Sequence, residues 1–332
     1  MLAPGAFSLA LFFAAGQAGP ARTAAAADRA AEIVTTIAVM LDEPKGDERN
    51  AQLEKLADEL DAIPSATFDQ KFNAHGRLLS YYRGDDIDAG IIKHATWMAV
   101  AATSFTAAQR KTLGARVVSS QVSMAEALAG QGRNDDALAL LRKTQAGWSD
   151  VGEASDGDLA PAIARYSLVG TLAAAVTAPR WLNAPSDMKA MTMDGAVTLL
   201  EFTAHWCGPC RESYAGVNRL RRQFGAKGFR VVMVTRYWGH FTTSGRMERP
   251  LAPDQELKRD IEYFQEYHLD VPVAIGDESP REDVNDRNYH VRAIPQIHLI
   301  DKHGRIRLIM IGYDDANEPS LAATIARLVA EK

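Results

Sequence analysis

The fold of the second half of the chain is decided by residues 197–211, which read VTLLEFTAHWCGPCR. The largely apolar run from Val197 to Phe202 has the length of a strand, and Cys207-Gly208-Pro209-Cys210 follows after four residues. Proline is tolerated in the first turn of a helix, because the N–H that it lacks has no partner there. The stretch therefore predicts a buried strand that leads into a helix with both cysteines in its first turn.

Cys207 and Cys210 are the only cysteines among the 332 residues. Side chains three residues apart in a helix lie on one face, close enough to form a disulfide. The free N–H groups at a helix N-terminus also favour a thiolate. We therefore expect Cys207 to be an exposed nucleophile and Cys210, one turn later, to be a buried resolving thiol. A zinc site normally takes four ligands, and no second cysteine pair exists to supply them.

Outward from this stretch, the second half alternates between strand-like apolar runs and helical periodicity. The pattern indicates strands at 197–202, 229–235, 271–275, 294–300 and 306–311, and helices at 209–224, 254–267 and 318–331. Lys302-His303-Gly304 is a turn signal for a hairpin between the last two strands. This order of elements predicts an α/β domain with a mixed sheet over residues 178–332.

The first half, residues 22–177, shows helical periodicity with few strand-like alternations. Helices are indicated near 26–41, 53–63, 66–82, 89–103, 107–131, 135–145 and 159–176. Residues 125–141 (AEALAGQGRNDDALALL) are similar to the turn of a tetratricopeptide repeat, and an ordinary helical hairpin is the alternative. We predict an N-terminal all-helical domain, and its repeat class stays open.

Residues 1–21 carry no charged side chain. Residues 6–15 (AFSLALFFAA) are largely apolar, and the small residues Gly16, Ala18, Gly19 and Ala21 follow. The segment resembles a secretory signal peptide with cleavage near Ala18 or Ala21, although it has no basic residue before the apolar run. An uncleaved membrane anchor and a buried N-terminal helix are the alternatives. Export would place the protein in an oxidising compartment such as a periplasm.

The net charge of −5 excludes a phosphate-binding surface over the whole molecule. The basic residues between positions 219 and 230 lack interleaved aromatic side chains, which single-stranded nucleic acids stack on. We therefore expect no nucleic-acid partner.

Two stretches of the second half resemble the thioredoxin superfamily. Residues 201–211 (EFTAHWCGPCR) resemble its active-site strand and helix, and residues 293–301 (AIPQIHLID) resemble its cis-proline strand. Ala178-Pro179 and Asp194-Gly195 further resemble the exported TlpA/ResA-like thiol–disulfide oxidoreductases. The likeness covers residues 178–332 and implies a thioredoxin-like fold. Pro295 lies 85 residues after Cys210, about twice the distance in a bare thioredoxin, which implies an enlarged central insert at about 240–280.

The resemblance also implies roles for residues around the cysteines. It implies a cis peptide bond before Pro295, which would place the Ile294 backbone against Cys207 to pair with an extended substrate segment. It gives Glu201 the position of a buried acid that exchanges a proton with Cys210.

Three further residues of the motif are candidates for substrate contact. The resemblance implies that Trp206 covers the thiol pair and that Gly208 and Pro209 lie at the substrate surface. The Gly-Pro dipeptide is similar to that of reducing thioredoxins rather than to that of strongly oxidising DsbA-type proteins.

These features together predict a thiol–disulfide oxidoreductase that reduces exported protein substrates. Its redox group would be the Cys207–Cys210 disulfide, without cofactor or metal, and a membrane-bound donor would supply electrons. One alternative is a copper-handling scaffold in which His205 joins the cysteines. Another is a thiol peroxidase, for which Ala204 stands where a threonine would be expected. The helical domain would recognise clients, bind a partner, dimerise or lie near a membrane, and the sequence does not choose.

Overall fold

The computed structural model describes residues 20–43, 46–84, 87–243, 246–277, 283–313 and 317–331. The chain divides into two compact units, residues 1–77 and 78–332. The predicted signal peptide lies almost entirely outside the described residues, because these begin at Pro20. Within the described ranges, no helix combines the length and apolar character needed to cross a bilayer.

The first unit is helical. It contains α1 (Pro20–Met40), α2 (Asp47–Ala62) and the N-terminal part of α3 (Phe68–Gly84). In α2 the buried apolar residues recur at helical spacing: Leu53, Leu56, Ala57 and Leu60. The helix ends at Ile63, whose extended backbone precedes Pro64, because a residue before proline is disfavoured in the helical conformation.

The second unit begins within α3 and continues with four helices. These are α4 (Asp88–Ala102), α5 (Ala107–Gly130), α6 (Asn134–Gly147) and α7 (Gly152–Tyr166). The helix predicted over 159–176 is wrong in its second half, because α7 ends at Tyr166 and the chain turns through Gly170 with a φ of 86°. The all-helical character predicted for the N-terminal region is otherwise confirmed.

The described residues after α7 add ten strands and four helices. The strands are β1 (Val176–Thr177), β2 (Arg180–Leu182), β3 (Ala190–Met191), β4 (Val197–Phe202), β5 (Phe229–Arg236), β6 (Phe241–Thr243), β7 (Arg246–Glu248), β8 (Val273–Gly276), β9 (Gln296–Ile300) and β10 (Ile306–Ile311). The helices are α8 (Gly208–Phe224), α9 (Pro253–Glu266), α10 (Val284–Asn288) and α11 (Glu318–Ala330), with a 3₁₀ turn at Gly225–Lys227.

Six strands form the central sheet in the order β10-β9-β4-β5-β8-β2. The β4–β5 and β5–β8 pairs are parallel, and the other neighbours are antiparallel, which confirms the predicted mixed sheet. Two small antiparallel pairs, β1–β3 and β6–β7, lie outside it. Of the central strands, β2 was not predicted, because a strand of three residues is too short to show a period.

Both faces of the sheet are buried. Leu199 of β4 faces a core built with α8 and α11, whereas its neighbours Leu200 and Phe202 face a core built with α5, α6 and α7. Residues 107–166 therefore share a core with the thioredoxin-like sheet. The last helix before the sheet ends at Tyr166 and β1 begins at Val176, whereas the compact units divide between 77 and 78. The domain boundary between 177 and 178 stays a prediction.

The insert predicted at about 240–280 contains the β6–β7 pair and α9, and it joins β5 to β8. The strand β8 itself pairs with β5 and belongs to the central sheet. The insert therefore leaves the sheet after Arg236, at the edge of the sheet where β4 also ends, and returns to it at Val273 beside β5.

Candidate active site

Cys207 and Cys210 form a disulfide at the N-terminus of α8, with their Cα atoms 5.3 Å apart. Cys207 is the N-cap residue, and its Sγ accepts a hydrogen bond from the Cys210 backbone N–H at 3.1 Å. The same N–H would stabilise a Cys207 thiolate in the reduced protein, because hydrogen bonds to a charged acceptor are the stronger ones. Pro209 lies in the first turn, where no backbone hydrogen bond is lost.

Cys207 is more deeply buried than the sequence predicts. The residue is 3% exposed, and Cys210 is fully buried. Ile294 and Trp238 pack against the hydrophobic cluster that contains both cysteines. Trp206 is 39% exposed and meets Trp238 edge-on, with the ring centroids 4.9 Å apart. The prediction of an exposed nucleophile is wrong for this oxidised form, in which Cys207 is part of the hydrophobic core and its Sγ lies 3.6 Å from the Ile294 carbonyl oxygen.

The Ile294–Pro295 peptide bond is cis and lies opposite the disulfide. The Ile294 carbonyl oxygen is 3.6 Å from Cys207 Sγ. The Pro295 carbonyl accepts a hydrogen bond from the Gly312 N–H at 2.9 Å, which ties this loop to the end of β10. The Ile294 backbone is thus adjacent to the reacting sulfur, and its pairing with a substrate segment stays a prediction.

Glu201 lies in the middle of the sheet and is fully buried. Its Oε1 is 2.9 Å from the hydroxyl of Ser213, and that hydroxyl is 2.7 Å from the Cys210 carbonyl oxygen. Its Oε2 has no hydrogen-bond partner. Burial raises the pKa of Glu201 from 4.5 to about 8, and the hydrogen bond with Ser213 offsets part of that rise.

The Ser213 hydroxyl carries one proton and cannot donate to both oxygens. A protonated Glu201 resolves this conflict, because Glu201 then donates to Ser213 Oγ and Ser213 donates to the Cys210 carbonyl. The geometry and the raised pKa therefore agree that Glu201 is neutral below about pH 8. Sequence reasoning missed Ser213, although its position three residues after Cys210 places it one helical turn away.

Gly208 and Pro209 form the surface turn between the two cysteines. A Cβ at Gly208 would meet only Arg211 Nη2 at 3.8 Å, which is an ordinary contact. Packing within the chain therefore does not require glycine there, and a role of Gly208 and Pro209 in substrate contact stays a prediction.

His205, considered above as a metal ligand, connects the active-site turn to the insert. Its ring is buried, stacks on Phe241 with centroids 4.6 Å apart, and accepts the Thr242 N–H at Nδ1 at 3.0 Å. Its Nε2 is 3.8 Å from Glu256 Oε1. Across the ranges that the structure describes, no group of three or more His, Cys, Asp or Glu residues is arranged to hold a metal ion.

Glu256 of α9 is a second buried acid that the sequence does not single out. Its Oε1 accepts the Trp238 N–H at 2.7 Å, and its Oε2 accepts the Gly239 N–H at 2.9 Å. The carboxylate thereby holds the segment that leaves β5. A glutamate in the first turn of a polar helix carries no signal of burial, so its role could be found only in the folded chain.

A comparison with known families gives a match to Redoxin over residues 156–325. The chain belongs to the Redoxin family. The match includes Cys207, Cys210 and Pro295, and it extends upstream of residue 178 into α7. The resemblance to the thioredoxin superfamily is therefore confirmed.

Individual relatives of this Redoxin protein are distant. Thioredoxin-like protein YneN of Bacillus subtilis is 26% identical over 118 residues, which are 36% of this chain and 58% of that protein. The chain thus matches less than two thirds of the length of this curated relative.

Two solved structures are similar to the same half of the chain. One, assigned as the thiol:disulfide interchange protein DsbE of Chlorobium tepidum, is 24% identical, with 49% of this chain and 98% of that chain covered and a TM-score of 0.38. The other, a thiol-disulfide isomerase of Corynebacterium glutamicum, is 18% identical, with 49% and 98% covered and a TM-score of 0.38.

Proposed function

We propose that this protein is a thiol–disulfide oxidoreductase that reduces disulfides in exported protein substrates. The observation that carries the proposal is the disulfide between Cys207 and Cys210 at the N-terminus of α8, with the Ile294 carbonyl 3.6 Å from Cys207 Sγ. A helix N-terminus stabilises the thiolate, and a backbone edge beside it can bind an extended substrate.

The reaction begins with the dithiol form of the protein. The Cys207 thiolate attacks one sulfur of the substrate disulfide, a mixed disulfide forms, and the other substrate sulfur leaves as a thiolate. The Cys210 thiolate then attacks Cys207 Sγ, which closes the Cys207–Cys210 bond and releases the second substrate sulfur. The substrate gains two electrons and the protein loses two, which yields the oxidised form described here.

Glu201 is the proposed proton acceptor for Cys210 in the second step. A carboxyl group with a pKa of about 8 is mostly protonated at pH 6 and becomes a base as the pH approaches 8. We expect release of the substrate to accelerate about fiftyfold between pH 6 and 8, because the deprotonated fraction of a carboxyl group with a pKa of about 8 rises from about 1% to about 50% over this range. Rapid-mixing measurements on Glu201→Gln should give a slower release at pH 8, by about a hundredfold, and no effect there would refute this role.

The trapping of substrate tests the proposal directly. Cys210→Ala leaves the nucleophile but removes the resolving thiol, so the reduced variant should accumulate covalent complexes with disulfide-containing proteins. Cys207→Ala is the matched control and should form none through the active-site turn. Failure of Cys210→Ala to form such complexes, with substrates that the wild type reduces, would contradict the mechanism.

The direction of electron flow is a further proposal, supported by the Gly-Pro dipeptide between the cysteines. We propose net reduction, with electrons from a membrane-bound dithiol donor. Equilibration with dithiothreitol and glutathione buffers should give a reduction potential near the thioredoxin value of about −270 mV. A potential near that of DsbA, about −120 mV, would reverse the proposed direction.

The proposal also covers the cellular location of the protein and the role of its helical region. The uncharged segment over residues 1–21 supports export to a periplasm, and fractionation of cells with and without this segment tests it. Mass spectrometry of the mature protein would separate cleavage near Ala18 or Ala21 from an uncleaved anchor. For residues 22–177 we propose binding of a protein partner or self-association, which sedimentation of the purified protein would distinguish.

A further inference from the structure

A cleft of about 390 Å³ adjoins the disulfide in the second unit. Its apolar walls are formed by six residues: Phe202, Trp206, Val234, Trp238, Val291 and Ile294. Trp206 directly precedes Cys207, and the Ile294 carbonyl lies beside Cys207 Sγ. The cleft is therefore continuous with the point where a substrate sulfur must enter, and a chain bound at that point would lie along it.

The insert supplies one wall of this cleft through Trp238, and Glu256 fixes the position of that wall. The Glu256 carboxylate is fully buried, and each of its oxygens accepts one backbone N–H, from Trp238 and from Gly239. Hydrogen bonds to a carboxylate are about twice as strong as those between neutral groups. His205 holds the same segment a few residues later, because its Nδ1 accepts the Thr242 N–H.

Each charged side chain that lines the cleft has a partner. Arg292 lies 3.9 Å from Asp158, and Asp283 accepts backbone N–H groups of the helix that follows it. The Arg236 guanidinium lies 4.0 Å from the centroid of the Trp238 ring and forms an ion pair with Asp286. Since these charges have partners, the cleft favours an apolar group over a charged one, which would have to lose its hydration. We therefore expect the cleft to take up an apolar side chain of the substrate.

We propose that Trp238 is a specificity-determining residue that contacts an apolar side chain next to the reacting cysteine of a protein substrate. Glu256 is the positioning residue that holds Trp238 against the cleft. The inference rests on the proposed function, and it assigns part of substrate selection to the insert rather than to the thioredoxin-like sheet.

The first experiment uses the full chain and two peptides that differ at one position. Each peptide contains an internal disulfide, and the residue after the attacked cysteine is either leucine or aspartate. With dithiothreitol as the reductant, the wild type should show a kcat/KM about tenfold higher for the leucine peptide. Trp238→Ala should lose most of this preference, mainly through KM, whereas Trp238→Phe should keep it.

The second experiment tests Glu256 against a matched control on the same helix. In Glu256→Gln the single amide oxygen can accept only one of the two N–H groups, so we expect the same loss of preference as in Trp238→Ala. Asp260 lies one helical turn later and is also buried. Burial and the neighbouring Glu256 raise its pKa to about 8, so Asp260→Asn keeps the charge near pH 7 and should leave KM within twofold.

A third measurement separates a structural defect from a change in selection. A general structural defect in Trp238→Ala or Glu256→Gln would lower the rates with both peptides and with the small disulfide 5,5′-dithiobis(2-nitrobenzoate) by a similar factor, whereas a change in selection alters the ratio between the two peptides. If Trp238→Ala keeps the wild-type preference for the leucine peptide and the wild-type KM, the inference is overturned while the proposed function stands. A wild type that reduces neither peptide nor the small disulfide would overturn the proposed function, and the inference with it.

Discussion

Replacement of Glu201 by glutamine should change how stability depends on pH. Burial raises the pKa of Glu201 from 4.5 to about 8, and its Oε2 has no partner that could stabilise a charge. An acid whose pKa is higher in the folded state binds its proton more tightly there. Its contribution to stability is therefore complete below pH 4.5 and is lost as the pH rises through 8.

The size of this loss follows from the two pKa values. Each pKa unit corresponds to 1.36 kcal/mol, so the wild type should lose roughly 4 kcal/mol of unfolding free energy between pH 5 and pH 8.5 because of Glu201. Glutamine does not titrate and should lose none of it. Its amide leaves an N–H without a partner beside Ser213, which costs about 1–3 kcal/mol at every pH, so the pH dependence is the informative quantity.

Urea unfolding of the oxidised protein between pH 5 and 8.5 measures this difference. The disulfide removes thiol titration, and the five tryptophans lie at positions 97 to 238, so their fluorescence reports on the second unit. The unfolding free energy of Glu201→Gln minus that of the wild type should rise by roughly 4 kcal/mol over this range, from a negative value at pH 5 to a positive one at pH 8.5. A difference that stays constant within about 1 kcal/mol would refute the assignment of a buried, neutral Glu201.

Two further substitutions test the packing that supports the site. Arg165 is buried and pairs with the Glu126 carboxylate at 3.0 Å, so Arg165→Met should lower the free energy of unfolding in urea by about 3 kcal/mol. Arg133 pairs with Asp136 at the surface, so Arg133→Met should lower it by less than about 1 kcal/mol. Equal costs would contradict the reasoning. A Cβ at Gly216 would overlap Tyr313, so Gly216→Ala should lower the melting temperature by several degrees. A Cβ at Gly147 would meet only open space, so Gly147→Ala is the control and should not lower it.

Much of the fold could be predicted from the sequence because it is encoded locally. The strands predicted at 197–202 and 306–311 coincide with β4 and β10, and the predicted helix at 209–224 begins one residue late. Continuous apolar runs, helical periodicity and a proline in the first helical turn are signals that a few neighbouring residues carry. The chemistry of the cysteine pair was readable for the same reason.

The parts that were not predicted depend on contacts between distant residues. After α7 ends at Tyr166, the Gly170 and Ala173 N–H groups donate to the carbonyls of Ile306 and Gly304, which lie far along the chain. Trp238 meets Trp206 of the active-site turn edge-on, although the two residues lie far apart in the sequence. Such contacts form only when the insert folds back onto the active-site turn, so no local pattern reports them.

The sequence by itself determined that a strand carries a cysteine pair into the start of a helix and that a cis-proline strand follows much later. Tertiary structure decided that the Ser213 hydroxyl lies between Glu201 and the Cys210 carbonyl oxygen. It decided as well that Glu256 holds the backbone of Trp238 near the active-site turn. It also decided that α5, α6 and α7 cover one face of the sheet. The reason is physical: periodicity and turn residues act over a few neighbours, whereas burial and pairing of side chains depend on which surfaces meet.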